Sequence, residues 1–457
     1  MRLRPLNPKQ VPAAFLDCAR TLREGGHRAY FVGGCVRDLL RGVPVADWDI
    51  ATSARPEDLL RLFRNAIPTG LKHGTVTVPT PSGACEITTF RVESGYTDAR
   101  HPDKVEFVTE VSQDLARRDF TVNAIAWDPL EKREEDPFGG RTDLAAKVLR
   151  AVGDPWERFR EDGLRPVRAA RFVATLEFEL DPETEAALAD ARDQVARVAP
   201  ERIREELLKM LTAPCPSRGF EVLRRAGLLP IVLPELAQCV AVPQNRFHAH
   251  DVYYHTLHTV DAAPADKPAV RLAALFHDLG KPLTRVERNG DATFYNHQFE
   301  SERLTVEAMT RLRFSREATE EVAHLVRHHM FDYRPEWSDA AVRRFLQKVS
   351  TDHVADLFDL RIADNIGNGT KTGFPHYLEE LGGRIDRVLE ARQALTLSDL
   401  MIDGGDVMRE LGIPPGRKVG EILERLLDEV LEDPGLNERG RLLKRVREAF
   451  SIDRARA

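Results

Sequence analysis

The chain has 457 residues, too many for one hydrophobic core, and this length predicts roughly three domains. Hydrophobic residues make up 42% and charged residues 30%, and no apolar run approaches the roughly 20 residues of a membrane span. The net charge of −7 argues against a surface that coats polyanions broadly, but it leaves room for a local basic stripe. Because the opening MRLRPLNPKQ lacks the apolar centre of a signal peptide and the cysteines show no CxxC spacing, we expect a cytoplasmic protein without membrane contact.

Secondary-structure signals change near residue 150. Before that point, short apolar runs such as AYFVGG, HGTVTV and TVNAIAWD alternate with turn residues and a few helical patterns, which predicts an α+β segment with a mixed sheet. Beyond Val152, Ala, Leu, Glu and Arg recur at helical spacing almost to the end, so the remainder is predicted to be all-helical.

Two aspartates one residue apart, Asp47 and Asp49, lie near the end of FVGGCVRDLLRGVPVADWDIATS. On a strand, alternation points both side chains to one face, where they can bind divalent ions that bridge phosphate oxygens and clamp an in-line displacement. Gly33 and Gly34 let the backbone approach a phosphate, and Arg37 adds a guanidinium in the next helix. The alternative interpretation is that Asp47 and Asp49 are turn residues and that Gly33-Gly34 forms only a bend. The order of strand, Gly-Gly, arginine, helix and DWDI favours a nucleoside triphosphate site.

Further polar groups follow this pair. Glu86, in CEITTFR, is predicted on a strand that faces the aspartates, as a third carboxylate for metal binding or for taking the proton of an attacking hydroxyl. A glutamate exposed at a sheet edge is the alternative. Next, Arg118, Asp119 and Asn123 cluster before another strand. Alone they would indicate a solvated charge run, but beside the aspartates they supply cations for a triphosphate and polar groups for ribose hydroxyls.

The segment RFREDGLRPVRAARF predicts a helix that begins near Glu161. On it Asp162, Arg165 and Arg168 fall at i, i+3 and i+6, with Arg171 a turn further on, so one face carries a carboxylate and three guanidiniums. A surface face with i,i+3 salt bridges would look similar. A carboxylate that accepts from an exocyclic amine and a guanidinium that donates to ring acceptors can instead read the edge of cytosine or adenine without a nucleic-acid template.

Histidine and aspartate residues recur in the second half as an H…HD…D series. The predicted ligands of a first metal ion are His255, His277, Asp278 and Asp364. This set suits Mn, Fe, Ni or Mg better than a structural zinc site built on thiolates. A second ion is predicted at His297 and His328, since His324 and His328 share a helix face, with His329 a further candidate. A helical scaffold without a working metal site is the alternative.

In this order, the GGxVRD…DxD, RRDxxxN and EDxxR blocks resemble the class II tRNA nucleotidyltransferase and bacterial poly(A) polymerase family, through most of the chain. The resemblance implies that Mg²⁺ is held by Asp47 and Asp49. It implies nucleotide contacts at Gly34, Arg37, Arg118, Asp119 and Asn123. It implies a protein template for the incoming base at Asp162 and Arg165, flanked by Arg168 and Arg171, with Glu161 orienting the arginine.

The histidine series resembles the HD phosphohydrolase domain found in the C-terminal part of some bacterial tRNA nucleotidyltransferases. It implies metal-dependent phosphatase or 2′,3′-cyclic phosphodiesterase activity. The domains expected from these resemblances are a nucleotidyltransferase head at 1–150, a neck with the base-reading helix at 151–215, a helical body with the HD domain at 216–375, and a helical tRNA-binding tail at 376–457.

The product class follows from two further segments. IPTGLKHGTVTV resembles the enzymes of the tRNA end, and the loop ESGYTDARHPDKVEF has the length that CC-adding members lack. We predict an enzyme that adds CTP, CTP and ATP to the tRNA 3′ end, in a pocket whose shape sets the order, with helices at 201–211 and 436–450 on the tRNA. An A-adding or CC-adding enzyme, a poly(A) polymerase, and a metal-dependent HD phosphohydrolase with a nucleotide-binding head are the alternatives. No protein partner is predicted.

Overall fold

The computed structural model describes residues 1–95, 104–246, 248–288, 290–370, 375–391 and 393–454. The chain forms two compact units, one of Met1–Val240 with Glu307–Arg316 and one of Ala241–Val306 with Glu317–Ala457. The loop whose full length was used to predict the product class, at 93–107, lies partly outside the described residues. Among the described helices, none has the length and apolar character needed to cross a membrane.

The first unit begins with a mixed layer of strands and helices and continues in helices. Its strands are β1 Ala29–Val32, β2 Trp48–Thr52, β3 Ile67–Gly70, β4 Thr75–Thr80, β5 Gly83–Thr89, β6 Arg91–Ser94, β7 Lys104–Phe107, β8 Ala126–Asp128, β9 Arg133–Glu135, β10 Val148–Leu149 and β11 Glu179–Leu180. Its helices are α1 Ala13–Glu24, α2 Gly34–Arg41, α3 Pro56–Leu62, α4 Val111–Ala116, α5 Gly140–Ala146, α6 Pro155–Glu161, α7 Arg165–Leu176, α8 Pro182–Ala189, α9 Arg192–Val195, α10 Pro200–Leu211, α11 Ser217–Arg225, α12 Leu229–Val232 and α13 Pro234–Ala237.

A seven-stranded sheet in the order β3-β4-β5-β2-β1-β8-β9 is the framework of this unit. β2 and β5 run parallel, while the other neighbouring pairs are antiparallel. On one face Trp48 packs against Phe15 and Phe31, with ring centroids 5.4 and 5.5 Å apart. Since strand residues alternate between faces, burial of Trp48 on this side directs its neighbour Asp49 to the other.

The second unit is built from helices and one short hairpin. Its elements are α14 Val252–Ala262, α15 Pro268–Phe276, α16 Lys281–Thr284, β12 Val286–Arg288, β13 Asp291–Thr293, α17 His297–Arg311, α18 Arg316–His328, α19 Asp339–Val349, α20 Val354–Gly367, α21 Tyr377–Glu390, α22 Gly404–Leu411, α23 Arg417–Glu432 and α24 Arg439–Arg454. The last three helices share an apolar core that includes Val407, Leu431 and Val446, each 0% exposed. The predicted change from an α+β head to a helical remainder is confirmed, because the described strands beyond residue 150 are only β11, β12 and β13. The bounds of the four predicted domains stay a prediction.

Candidate functional sites

The carboxylates of the first unit meet where β2 and β5 pair. Asp49 is the second residue of β2 and stands in parallel register with Glu86 of β5. Asp47 immediately precedes β2 and is exposed. The structure therefore brings Glu86 beside the aspartate pair, as the alternation of strand residues predicts.

The carboxyl group of Asp49 lies within reach of two other negative charges. Burial raises the pKa of Asp49, and although Arg118 opposes the rise, Glu86 and Asp47 add to it and bring the value to about 6. Negative charge concentrated at a half-buried position is what an oxygen-ligated divalent cation relieves, because the cation favours the ionised carboxylates. The donor set at this position therefore fits Mg²⁺.

The Gly-Gly turn brings the start of α2 close to these groups. Gly34 is the first residue of α2, and Gly33 before it has a φ of +74°, a conformation that favours glycine. A Cβ on Gly33 would lie 2.9 Å from Arg118 Nη1 and 4.0 Å from Asp49 Oδ2. The bare backbone thus lets a helix N-terminus, a guanidinium and a carboxylate converge, which is an arrangement suited to a triphosphate.

A chain of hydrogen bonds connects the three predicted motif blocks. Arg37 Nη1 donates to Asn123 Oδ1 at 2.7 Å, and Asn123 Nδ2 donates to Asp119 Oδ1 at 3.1 Å. Arg168 then donates to Asp119 Oδ2 from Nε at 2.9 Å and from Nη2 at 2.7 Å. Burial raises the pKa of Asp119, but the Arg168 charge and the Asn123 hydrogen bond outweigh it and hold that pKa well below its usual range. Asp119 is therefore an ionised anchor for the surrounding cations.

Two residues of this site were not predicted from the sequence. The buried ring of Phe172 has three guanidiniums above it, those of Arg37, Arg168 and Arg171 at 5.6, 5.4 and 3.8 Å from the centroid. The carboxylate of Glu206, in α10, is 4% exposed and pairs with Arg171 and, at 3.5 Å, with Arg168. Neither residue belongs to a recognisable motif. The sequence pattern predicts a core aromatic residue at Phe172 and one of several glutamates of an amphipathic helix at Glu206.

The predicted helix around the base-reading block begins later than expected. α6 ends at Glu161 and α7 begins at Arg165, so Asp162 lies between two helices instead of sharing a face with the arginines. The reason is Pro166, which fits only in a first turn; a helix begun at Glu161 would place it in the interior, where its ring clashes with the preceding turn. Asp162 accepts from both terminal nitrogens of Arg202, at 3.1 and 2.9 Å.

Arg165 is the most enclosed arginine of the block. Its side chain is 9% exposed. Nη1 donates to the backbone oxygen of Arg158 at 2.8 Å and to Glu161, and Nη2 donates to the backbone oxygen of Arg117 at 2.8 Å. The contact with Glu161 agrees with the orienting role that the family resemblance implies.

The second unit brings together the four residues predicted for the first metal ion. His255 Nε2 lies 3.1 Å from Asp278 Oδ2 and 3.2 Å from Asp364 Oδ1. His277 Nε2 lies 3.1 Å from Asp278 Oδ2. The two imidazole nitrogens are 3.2 Å apart, so the ligand atoms of His255, His277 and Asp278 face a common centre, and Asp364 lies beside His255.

A second group of ligands uses the other oxygen of Asp278. His297 Nε2 lies 3.2 Å from Asp278 Oδ1 and 3.3 Å from His329 Nε2. The structure does not bring His328 to this group; its ring packs against His324 with centroids 4.6 Å apart. Successive helical positions point about 100° apart, so only one of two adjacent histidines at the end of α18 can face the cluster. The predicted second-ion ligand His328 is therefore replaced by His329.

The orientation of the imidazoles fits metal binding. His277, His297 and His329 each have Nδ1 hydrogen-bonded to the backbone oxygen three residues earlier, at 2.8, 2.8 and 2.7 Å. With the proton on Nδ1, the lone pairs of Nε2 are free to face Asp278, which is the usual arrangement of metal-ligating histidines. The ligand atoms of His255, His277 and Asp278 lie within 4.8 Å of one another, as do those of Asp278, His297 and His329, so the described residues fit two ions that share Asp278.

Two glycines, neither of which was predicted to matter, allow the ligand-bearing elements to approach. A Cβ on Gly367, in α20, would lie 2.2 Å from Thr259 Oγ1 of α14. A Cβ on Gly280 would lie 2.4 Å from the backbone oxygen of His297. A cavity of about 520 Å³ opens beside the cluster and is lined in part by Lys281 and Tyr295.

Three family models match the chain. A "Poly A polymerase head domain" matches residues 29–150, a "Probable RNA and SrmB-binding site of polymerase A" residues 177–239, and an "HD domain" residues 248–368. The CCA-adding enzyme of Lactobacillus johnsonii is 47% identical over 222 residues, which are 49% of this chain and 56% of that protein. The CCA-adding enzyme of Geobacillus stearothermophilus is 46% identical over 222 residues, 49% of this chain and 54% of that protein. The chain thus spans a little over half the length of the curated relatives it matches.

Solved structures extend the comparison to the whole chain. The crystal structure of the Bacillus stearothermophilus CCA-adding enzyme in complex with CTP aligns with a TM-score of 0.75 and 30% identity, over 98% of this chain and 99% of that one. The Thermotoga maritima CCA-adding enzyme complexed with tRNA aligns with a TM-score of 0.54 and 21% identity, over 98% and 97%, and shares the fold.

Proposed function

The chain belongs to the tRNA nucleotidyltransferase and poly(A) polymerase family, and from this we propose that it adds C, C and A to the 3′ end of tRNA, taking CTP twice and then ATP without a nucleic-acid template. The observation that carries the proposal is the convergence of Asp49, Glu86 and Arg118 beside the glycine turn before α2. The match to an enzyme solved with CTP supports the same substrate here.

In the proposed reaction the 3′-hydroxyl of tRNA attacks the α-phosphorus of the nucleotide, and pyrophosphate leaves. Asp47 and Asp49 would hold Mg²⁺, which when bound supplies positive charge to the phosphate oxygens. Arg37 and Arg118 neutralise the triphosphate, and Glu86 lies beside Asp49, where it either joins the metal ligands or takes the hydroxyl proton. Location in the cytoplasm stays a prediction.

The proposed nucleotide contacts come from the hydrogen-bonded chain that begins at Arg37. Asn123 and Asp119 supply polar groups for the ribose, while Arg168 and Arg171 keep positive charge near the phosphates. Arg168 pairs with Asp119, Arg171 with Glu206, and Arg37 with the neighbouring Asp38 at 2.8 Å, so carboxylates hold these guanidiniums in place before a nucleotide binds.

One assay separates the product classes. The chain is incubated with tRNA transcripts that end before CCA, after the first C, or after CC, together with labelled CTP or ATP. Extension of all three to CCA supports the proposal, whereas extension of only the CC-ended transcript indicates an A-adding enzyme. Long runs of A indicate a poly(A) polymerase.

The role of the aspartates is tested by Asp47→Ala with Asp49→Ala. We expect incorporation to be lost and hydrolysis by the second unit to remain. A matched control, Asp17→Ala with Glu57→Ala, removes two exposed acidic side chains of the same unit and should leave incorporation intact. Binding of tRNA without any incorporation by the unmodified chain would indicate an RNA-binding protein built on an inactive transferase.

For the second unit we propose a metal-dependent phosphohydrolase that acts on phosphate esters, including 2′,3′-cyclic phosphates. The support is the pair of ligand groups that share Asp278. Mn, Ni, Fe or Mg is the class of ion that these imidazole and carboxylate ligands accept. His255→Ala should abolish hydrolysis of bis-p-nitrophenyl phosphate and spare nucleotide incorporation; loss of both activities together would point to one shared site and contradict two.

A further inference from the structure

A second cavity adjoins the metal cluster and has no role in the functions proposed so far. It has a volume of about 550 Å³ and lies between the start of α17, the end of α18 and helix α19. Gln298 and Met330 line both this cavity and the one that contains His297 and His329. The two cavities are therefore neighbours, and an RNA end bound at the cluster would pass the side chains of Gln298 and Met330 to reach the second cavity.

One wall of this second cavity is aromatic. Trp337 is half-buried and packs against Tyr333 and Phe345, with centroids 5.4 and 5.9 Å apart. Two other apolar lining residues are exposed, Phe299 by 46% and Met330 by 54%. The indole of Trp337, held by these two rings beside exposed apolar surface, is a platform on which any of the nucleobases can stack.

The other wall is cationic. Arg344 and Lys348 are four residues apart and share a face of α19, and Arg327 lies at the end of α18. Asp332 is the one acidic residue among the described lining residues. Arg327 pairs with Glu302 and Arg344 with Glu432, but Lys348 forms no ion pair with any described residue. Lys348 thus leaves one positive charge in the lining that no described carboxylate neutralises, and a phosphate could pair with it.

We propose that this cavity binds one nucleotide of a single-stranded RNA end, with its base against Trp337 and its phosphate at Arg344 and Lys348, while the adjoining phosphate ester lies at the metal cluster. The proposal rests on the proposed phosphohydrolase function of the second unit. Rings and cations side by side match a nucleotide better than a peptide, whose backbone requires hydrogen-bonding partners along its length. An RNA end would gain contacts in this cavity that a small phosphate ester does not make.

The test compares two substrates of the full chain. One is a tetranucleotide ending in a 2′,3′-cyclic phosphate, and the other is bis-p-nitrophenyl phosphate, which is too small to reach the second cavity. Arg344→Gln with Lys348→Gln should raise KM for the tetranucleotide at least tenfold and leave the kinetics of the small substrate unchanged. The control Lys267→Gln with Arg303→Gln removes cations of the same unit that line neither cavity and whose side chains are 37% and 48% exposed, and it should change neither.

The stacking wall has its own variants. Trp337→Ala should raise KM for the tetranucleotide, and Trp337→Phe should restore most of the loss because a ring remains. An unchanged KM in both the cation and the ring variants overturns the proposal. An equal loss on both substrates also overturns it, since that result reports damage to the metal cluster.

Binding can be measured even if the chain hydrolyses neither substrate. The slope of log affinity for the tetranucleotide against log salt concentration should fall by about 0.7 for each phosphate contact removed. A tetranucleotide with terminal 4-thiouridine should crosslink within residues 327–348. If both results hold without hydrolysis, the phosphohydrolase proposal fails and the cavity assignment stands. Crosslinks confined to segments outside 327–348 would overturn the assignment. Binding of an acidic peptide at residues 327–348 in place of the RNA would overturn it as well.

Discussion

The close approach of α14 and α20 can be tested with one added methyl group, in Gly367→Ala. The new Cβ would lie 2.2 Å from Thr259 Oγ1 and 2.7 Å from Thr259 N, so even with Oγ1 turned away the helices must separate by about 0.7 Å for the backbone nitrogen to reach the 3.4 Å of ordinary contact. A change of the Thr259 rotamer cannot relieve this contact, because a backbone atom is involved. Overpacking of this kind costs about 1–3 kcal/mol, which outweighs the roughly 1 kcal/mol by which alanine exceeds glycine in a helix.

The separation would act on the metal cluster through the same two helices. His255 lies one turn before Thr259 on α14, and Asp364 lies one turn before Gly367 on α20. Their ligand atoms are now 3.2 Å apart. Metal–ligand distances tolerate changes of only about 0.2 Å, so one ion cannot bind both residues after such a shift. We expect the metal content of the second unit, and hydrolysis with it, to fall at least tenfold.

Elemental analysis after loading with Mn²⁺ or Ni²⁺ and gel filtration measures this effect, with nucleotide incorporation as the internal control. Gly383→Ala, in α21 of the same unit, is the matched substitution, because its Cβ would meet nothing within 4 Å. It should retain metal and unfold at an equal or higher temperature. The reasoning is refuted if Gly367→Ala holds as much metal as Gly383→Ala.

Three further predictions concern charged groups. His329→Ala should lower the number of bound ions from two to one, whereas His328→Ala should leave two, as counted by elemental analysis. Glu206→Gln leaves the guanidinium of Arg171, only 13% exposed, without its carboxylate, and should destabilise the first unit by about 3 kcal/mol in urea unfolding; adding Arg171→Met should recover most of this. In EDTA, Asp49→Asn should raise the unfolding temperature at pH 7.5 but not near pH 4. The folded-state pKa of about 6 lies above the ordinary 3.8, so the unmodified carboxyl loses about 3 kcal/mol of stability as the pH rises past both values.

The local sequence pattern and the order of the motifs were sufficient to predict that Asp49 and Glu86 lie on neighbouring strands. Asp49 and Glu86 were placed together because the period of a strand is two residues and apolar neighbours such as Trp48 determine which face is buried. The first metal group was predicted for a related reason, since His277 and Asp278 are adjacent in sequence and the family order supplied the rest.

The choice between His328 and His329 could not be made in the same way. Both follow the same helical pattern, and which one faces the cluster depends on how α18 packs against the helices around it. Glu206 was missed because burial of a glutamate depends on guanidiniums that come from a helix 35 positions earlier in the chain. Non-local packing of this kind leaves no trace in the periodicity of either segment.

The break between α6 and α7 changes how the proposed base template can work. Arg165 has five N–H groups, of which three are used by Arg158, Glu161 and Arg117. Nε–H and one N–H of Nη2 have no partner among the described residues, so this guanidinium can donate to a base while its buried contacts hold it still. Asp162 differs, because both of its oxygens accept from Arg202, and its side chain is 19% exposed. Each carboxylate oxygen can accept two hydrogen bonds, and Oδ1 also accepts from the backbone N–H of Leu164 at 3.0 Å, so an acceptor position for a base amine remains at Oδ2. The discrimination between cytosine and adenine is therefore expected to depend on how the free donors of Arg165 and the free position at Asp162 Oδ2 together match the base edge.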